Sequence, residues 1–110
     1  MDWRSMNEVV LKIKEFSITP GTRHIDEGPF SGEEFRINVL TDKYREAKNN
    51  NKKLLIDLDG TIGYGTSWLE EAFGGLAREW DKEDILSRIS FISNEEPYLI
   101  EDIIGYIKNA

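Results

Sequence analysis

Thr66 and Ser67 are hydroxyls placed where chemistry is available. They follow a loop punctuated by Gly60, Gly63 and Gly65 and open an apolar helical pattern. Ser67 and Glu70 have the S-x-x-E spacing of a capping box, in which the serine oxygen accepts a hydrogen bond from a helix N–H. A phosphoryl group on Ser67 would add two negative charges at the positive end of a helix dipole. The helix tolerates such a charge, whereas a partner surface would feel it strongly; Thr66 is the neighbouring candidate. Gly63-Tyr64-Gly65-Thr66 could also turn backbone N–H groups toward a phosphate. As a nucleotide loop it is incomplete: Trp68 stands where a third glycine belongs, and no phosphate-binding lysine follows.

Just upstream, Asp57-Leu58-Asp59-Gly60-Thr61 resembles the D-x-D-G-T signature of haloacid-dehalogenase-type phosphatases. That resemblance implies a nucleophile at Asp57, an acid/base at Asp59 and a magnesium ion neutralising the phosphate. The surroundings differ from that pattern. The motif lies midway along a 110-residue chain, the only lysine after the RISFIS run (88–93) is Lys108, and Glu101 and Asp102 fall inside the last helical pattern. A small magnesium-dependent phosphatase is the alternative reading; the plainer one has both aspartates ending a strand. His24 is the sole histidine and there is no cysteine, so a His/Cys metal site or a nucleophile–His triad has no partners. Glu33-Glu34, Glu70-Glu71 and Glu95-Glu96 fall in first helical turns, where the dipole favours acids. The expectation is no enzyme activity, no metal and no cofactor.

These residues need elements to hold them. Leu54-Leu55-Ile56-Asp57-Leu58 is a continuous apolar run, the mark of a central strand covered on both faces. After the loop, Leu69, Ala72, Phe73, Leu76, Ala77 and Trp80 recur on one helical face. Trp68 falls about 100° off that stripe at 3.6 residues per turn, which predicts partial exposure beside Tyr64. Gly74 and Gly75 also leave the stripe, each costing up to about 1 kcal/mol of helix propensity. A thin helix face beside exposed aromatics suits docking of another surface. The expected partner-binding residues are therefore Tyr64, Gly65, Thr66, Ser67, Trp68, Glu71, Gly74 and Gly75.

The rest of the chain supplies the scaffold. Residues 9–16 alternate, Leu11 and Ile13 against Lys12 and Lys14, as a half-buried strand does. Pro20-Gly21 has the order of a type II turn, after which 22–26 predicts a second strand of a hairpin, broken by Gly28-Pro29. Ser31 starts a helix through about Lys48, with Ile37, Leu40, Tyr44 and Ala47 as its core stripe and Phe35 and Val39 pointing elsewhere. Residues 81–87 read as a polar connection with a short helical turn, 88–93 as a strand, and 93–97 as a helix start. Leu99, Ile100, Ile103, Ile104 and Ile107 form the last stripe. The predicted order is β-β-α-β-α-β-α: an α/β fold with a mixed sheet of about four strands and helices packed mainly on one face.

Composition sets the outer bounds. With 21 acidic and 14 basic residues the net charge is −7, which argues against a nucleic-acid partner. The absence of cysteine suits a reducing cytoplasm, and no apolar stretch is long enough to span a membrane. Residues 1–7 are expected to be flexible and 8–110 to form one domain.

With that order in view, LLIDLDGTIGYGTSWLEEAFGGL resembles the strand-loop-helix of STAS domains, the fold of anti-sigma-factor antagonists. It is closer still to the STAS-like family DUF4325, through an SGEEFR-type helix start (31–36), an apolar strand ending in Asp (54–57) and a serine-led helix with E-x-x-F-G (67–74). The resemblance, over roughly residues 8–108, implies a STAS-like fold and a non-catalytic regulatory domain that binds proteins. In the sigma-regulating branch the partner is an ATPase-fold kinase and anti-sigma factor that phosphorylates a serine in an Asp-Ser-Ser-Gly loop. That serine falls on Ser67, preceded by Thr66. Gly65 stands where the Asp would be and Trp68 where the Gly would be.

Overall fold

The apolar runs become strands of one sheet in the computed structural model, which describes residues 7–110. The segment 1–7 expected to be flexible lies, apart from Asn7, outside the described residues. β1 (Glu8–Lys12), β2 (Lys53–Asp57) and β3 (Ile89–Ile92) form a parallel sheet in the order β1-β2-β3. Val9 pairs with Leu54 and Leu54 with Ile89, while Leu11 pairs with Ile56 and Ile56 with Phe91. The aspartate-bearing strand is central, as its apolar run predicts. Val9, Leu11, Leu54 and Ile56 are buried, whereas Val10 and Lys12 are exposed, so the helices lie mainly over one face.

Four helices connect and cover these strands. α1 spans 32–49, α2 spans 66–79, α3 is Lys82–Arg88 and α4 is Leu99–Lys108. The order is thus β-α-β-α-α-β-α. Both crossovers step the same way along the sheet, and right-handed connections of that kind put α1 and α2 on one face. Their buried residues meet there around Phe35, Tyr44, Trp68 and Phe73. Among the described residues no helix is long and apolar enough to cross a membrane.

The expected hairpin and fourth strand do not form, and the sheet is parallel rather than mixed. Residues 21–23 serve the start of α1 instead. Gly21 N donates to Phe30 O (2.9 Å), Gly32 N to Thr22 O (2.8 Å) and Glu33 N to Arg23 O (2.9 Å). Backbone groups used this way are not available to pair with β1. Ile25–Glu27 closes a 3-10 turn, and Gly21 lacks the positive φ that a type II turn requires.

α1 and α2 each carry a π-helical turn, Arg36–Leu40 in the first and Glu70–Gly74 in the second. A π turn inserts a residue and rotates the pattern that follows it. In α1 the buried apolar side chains are therefore Phe35, Leu40, Tyr44 and Ala47, with five positions in the first step. Ile37, expected in the core, is 48% exposed. The Ser31 cap is as expected, its Oγ accepting from Glu34 N at 3.0 Å. The 81–87 connection is a fuller helix than its polar sequence suggests, capped by Asp81 on Asp84 N. Asp84 then ties α3 to α1: it accepts from the Tyr44 hydroxyl and pairs with Arg88 at 3.0 Å. α4 starts later than predicted, at Leu99, after a turn in which the Ser93 hydroxyl donates to Glu96 O (2.7 Å).

Candidate functional site

In a parallel sheet the loops that leave the carboxyl ends of the strands converge on one rim. Here these are the turn after β1, residues 58–65 after β2, and residues 93–98 after β3. Asp57 Oδ1 accepts Asp59 N at 3.0 Å, turning the chain out of β2. The Asp59 carboxylate accepts from Asn94 N (3.2 Å), Asn94 Nδ2 (3.1 Å) and Glu95 N (3.0 Å). Glu95 answers by accepting Gly60 N at 2.6 Å. The two loops are clamped reciprocally. The Glu95 backbone N–H, followed by the Asn94 donors, holds the Asp59 carboxyl below the usual carboxylate range. With three N–H donors on its two oxygens, the Asp59 carboxylate acts as a clamp between the loops. Among the described residues no cluster of three or more His, Asp or Glu side chains could hold a metal ion.

Tyr64 turns back beneath this rim, its hydroxyl donating to Leu58 O at 2.7 Å. Burial pushes its phenol up to about 12. Its ring packs on Trp68 at 5.5 Å. Trp68 is 0% exposed, which corrects the partial exposure expected from an ideal α-helical phase. Phe73 follows it by five positions across the π turn, one more than an α-helical step, and that extra residue brings both onto the buried face. Its indole Nε1 donates to Phe30 O (2.9 Å) and its ring lies 5.0 Å from that of Phe35. The Trp68 side chain is core and not a docking surface.

Three more of the expected site residues face inward. Gly74 and Gly75 are buried: a Cβ on Gly74 would run into the Glu70 carboxylate of its own helix, and one on Gly75 would lie 2.5 Å from Arg36 Nε of α1. These glycines make room for the protein's own side chains, not for another molecule. Glu71 is also buried, paired with Arg36 at 3.0 Å and Arg23 at 3.3 Å. Beside it Glu70 accepts from Arg23 and Arg78, each at 2.7 Å, and Arg36 reaches Glu79 at 2.5 Å. Glu70 therefore does not close a capping box with Ser67, and the N-cap of α2 is Gly65.

This network has an acid signature. The Arg78 hydrogen bond, with help from Arg23, lowers Glu70 from 4.5 to about 2, and Arg88 followed by Tyr44 lowers Asp84 from 3.8 to about 2. Carboxyls depressed in the folded state stabilise it above their unfolded values and lose that contribution as pH falls through the folded ones. The expected result is a urea midpoint insensitive to these groups from neutral pH to about 5, falling between about pH 4.5 and 2. Each group contributes about 1–2 kcal/mol after discounting for partial solvent exposure. Glu70→Gln should flatten part of the acid limb; an unchanged limb contradicts the assignment.

Gly65, Thr66 and Ser67 remain exposed on the first turn of α2. Next to them Ile62 is 81% exposed, its N–H bonded to Ile18 O at 2.9 Å, and Ile18 and Tyr98 are exposed on the same rim. Ile62 is absent from the residues singled out by sequence, although one signal was there. It is a β-branched apolar residue between Gly60-Thr61 and Gly63, with no element of its own to bury it.

Helices layered on a parallel sheet, with a helix that carries Thr66 and Ser67 in its first turn following the central strand, define a small STAS-like α/β domain. The model of DUF4325, a STAS-like domain of unknown function, matches residues 31–99, and the chain belongs to that family. The match runs from the Ser31 cap to the start of α4 and includes β2, the rim loop, α2 and β3. No curated protein and no solved structure matches the chain.

Proposed function

We propose that this STAS-like domain is a non-catalytic regulatory module that binds a protein partner through the rim formed by residues 60–67. One observation carries the reading: Thr66 and Ser67 stand exposed on the first turn of α2, directly after the loop that holds the solvent-facing Ile62. Gly65, not Ser67, is the N-cap, so a phosphoryl group on Ser67 displaces no capping bond. Two negative charges there would meet the partner while the fold keeps its contacts. Resemblance to the sigma-regulating STAS domains supports an ATPase-fold kinase-type regulator as the partner. A cysteine-free chain suits the reducing cytoplasm, where we place it.

The test joins modification to binding. Incubation with cell-lysate kinases should add phosphate at Ser67 or Thr66; modification confined to other residues removes the switch. A partner retained by the wild-type protein should be bound about tenfold more weakly by Ile62→Asp and Ser67→Glu, with thermal midpoints little changed. Full retention by both variants overturns the surface. Magnesium-dependent hydrolysis of a phosphate ester, abolished by Asp57→Asn, replaces this reading with the phosphatase one.

A further inference from the structure

Among the described strands β1 pairs with β2 alone, which makes it an edge strand of the sheet. A groove of about 480 Å³ runs beside that edge. Val10, Phe16, Phe30 and Val39 supply its apolar lining, with Glu34 and Lys43 among its charged residues. Val10 is 44% exposed. An edge of this kind invites another strand, and the sequence of β1 states which one fits.

The strand reads Glu8-Val9-Val10-Leu11-Lys12. Laid antiparallel on a second copy of itself, Glu8 stands opposite Lys12, Val9 opposite Leu11, and Val10 opposite Val10. Opposite charges and apolar pairs across such a ladder are favourable, while like charges directly opposite are not. The match is independent of which alternate backbone groups point outward, because every pair lies on the same face. Glu8 already has a contact inside its own chain, and the pairing adds a cation to it.

The helix layer obeys the same two-fold. The C-terminal part of α1, Thr41–Asn49, packs on both β1 and β2, so pairing the β1 edges brings the two copies of α1 to the same side of the seam. Val39 faces the groove between Glu34 and Lys43 along α1. A dyad near Val39 brings Glu34 of one copy toward Lys43 of the other. The 3-10 turn Ile13–Glu15 ends the strand and limits the ladder to five residues.

We infer that β1 is a self-association edge: two copies pair their Glu8–Lys12 strands antiparallel about a two-fold through Val10, giving one continuous six-stranded sheet. The interface is small and isologous, so association is weak and reversible, with a dissociation constant of about 100 µM.

Sedimentation of the wild-type chain from about 5 µM to 1 mM should show a monomer–dimer equilibrium. Lys12→Glu places like charges opposite one another at both ends of the ladder and should weaken it about tenfold. Glu8→Lys should do the same. Mixing these two single variants restores opposite charges at every position, and a heterodimer of near wild-type affinity should form. If Glu8→Lys does not fold, hydrogen exchange of the wild type decides: β1 amides should gain protection as concentration rises, and less so in Lys12→Glu. A monomer at every concentration overturns the inference, as does a dimer indifferent to both charge variants. Protection of β1 independent of concentration marks an occupant from within the same chain and overturns it equally.

Discussion

Trp68→Ala should lower the unfolding free energy by about 3–5 kcal/mol, the range for truncating a fully buried aromatic residue. The indole is enclosed by Phe35 and Tyr64, and its Nε1 satisfies the Phe30 carbonyl. Removing it leaves a cavity between α1 and α2 and takes away that donor. A domain of this size has about 5–15 kcal/mol of stability in all, so the variant is left marginal. Urea denaturation measures the loss directly. Trp68→Phe, which keeps an aromatic ring, should cost about 1–2 kcal/mol. A drop below about 1 kcal/mol in the alanine variant would contradict the burial of Trp68. Loss of partner binding in Trp68→Ala therefore reports a damaged fold; Ile62 is the side chain that tests the surface.

The second large effect concerns the crossing of α1 and α2. A Cβ on Gly32 would lie 2.5 Å from the backbone oxygen of Trp68, and a backbone atom cannot swing aside as a side chain can. Gly32→Ala should cost about 2–3 kcal/mol by overpacking, although alanine is the better helix former. Gly105 provides the control. A Cβ there meets nothing within 4 Å, so Gly105→Ala in α4 should stabilise the protein by about 0.5–1 kcal/mol. Opposite signs for the two substitutions are the expected outcome. Equal signs would place the helix crossing elsewhere.

What local pattern controls was legible in the sequence. The apolar run 54–58 gave away the central strand, Ser31 with Glu34 the start of α1, and the segments 31–36, 54–57 and 67–74 the family. The misreadings share a cause: competition from residues distant along the chain. Residues 22–26 have strand-like character, yet the start of α1 takes the carbonyls of Thr22 and Arg23. Glu70 has capping-box spacing to Ser67, but Arg23, 47 residues away, engages it. Trp68 and Ile37 were assigned by a constant 100° per residue, and a single π turn in each helix shifts that phase. Of the eight residues expected to bind a partner, Gly65, Thr66 and Ser67 are exposed at the start of α2, and Ile62 is an exposed neighbour in the chain that periodicity does not single out.

The ion pairs joining Arg23, Arg36 and Arg78 to Glu70, Glu71 and Glu79 balance three positive charges with three negative ones. The whole net charge of −7 is therefore carried by the rest of the molecule. A field of that sign guides diffusing molecules before any contact is made. Binders with a basic face should be captured faster than neutral ones of equal affinity, and added salt should slow that capture within a Debye length of about 10 Å.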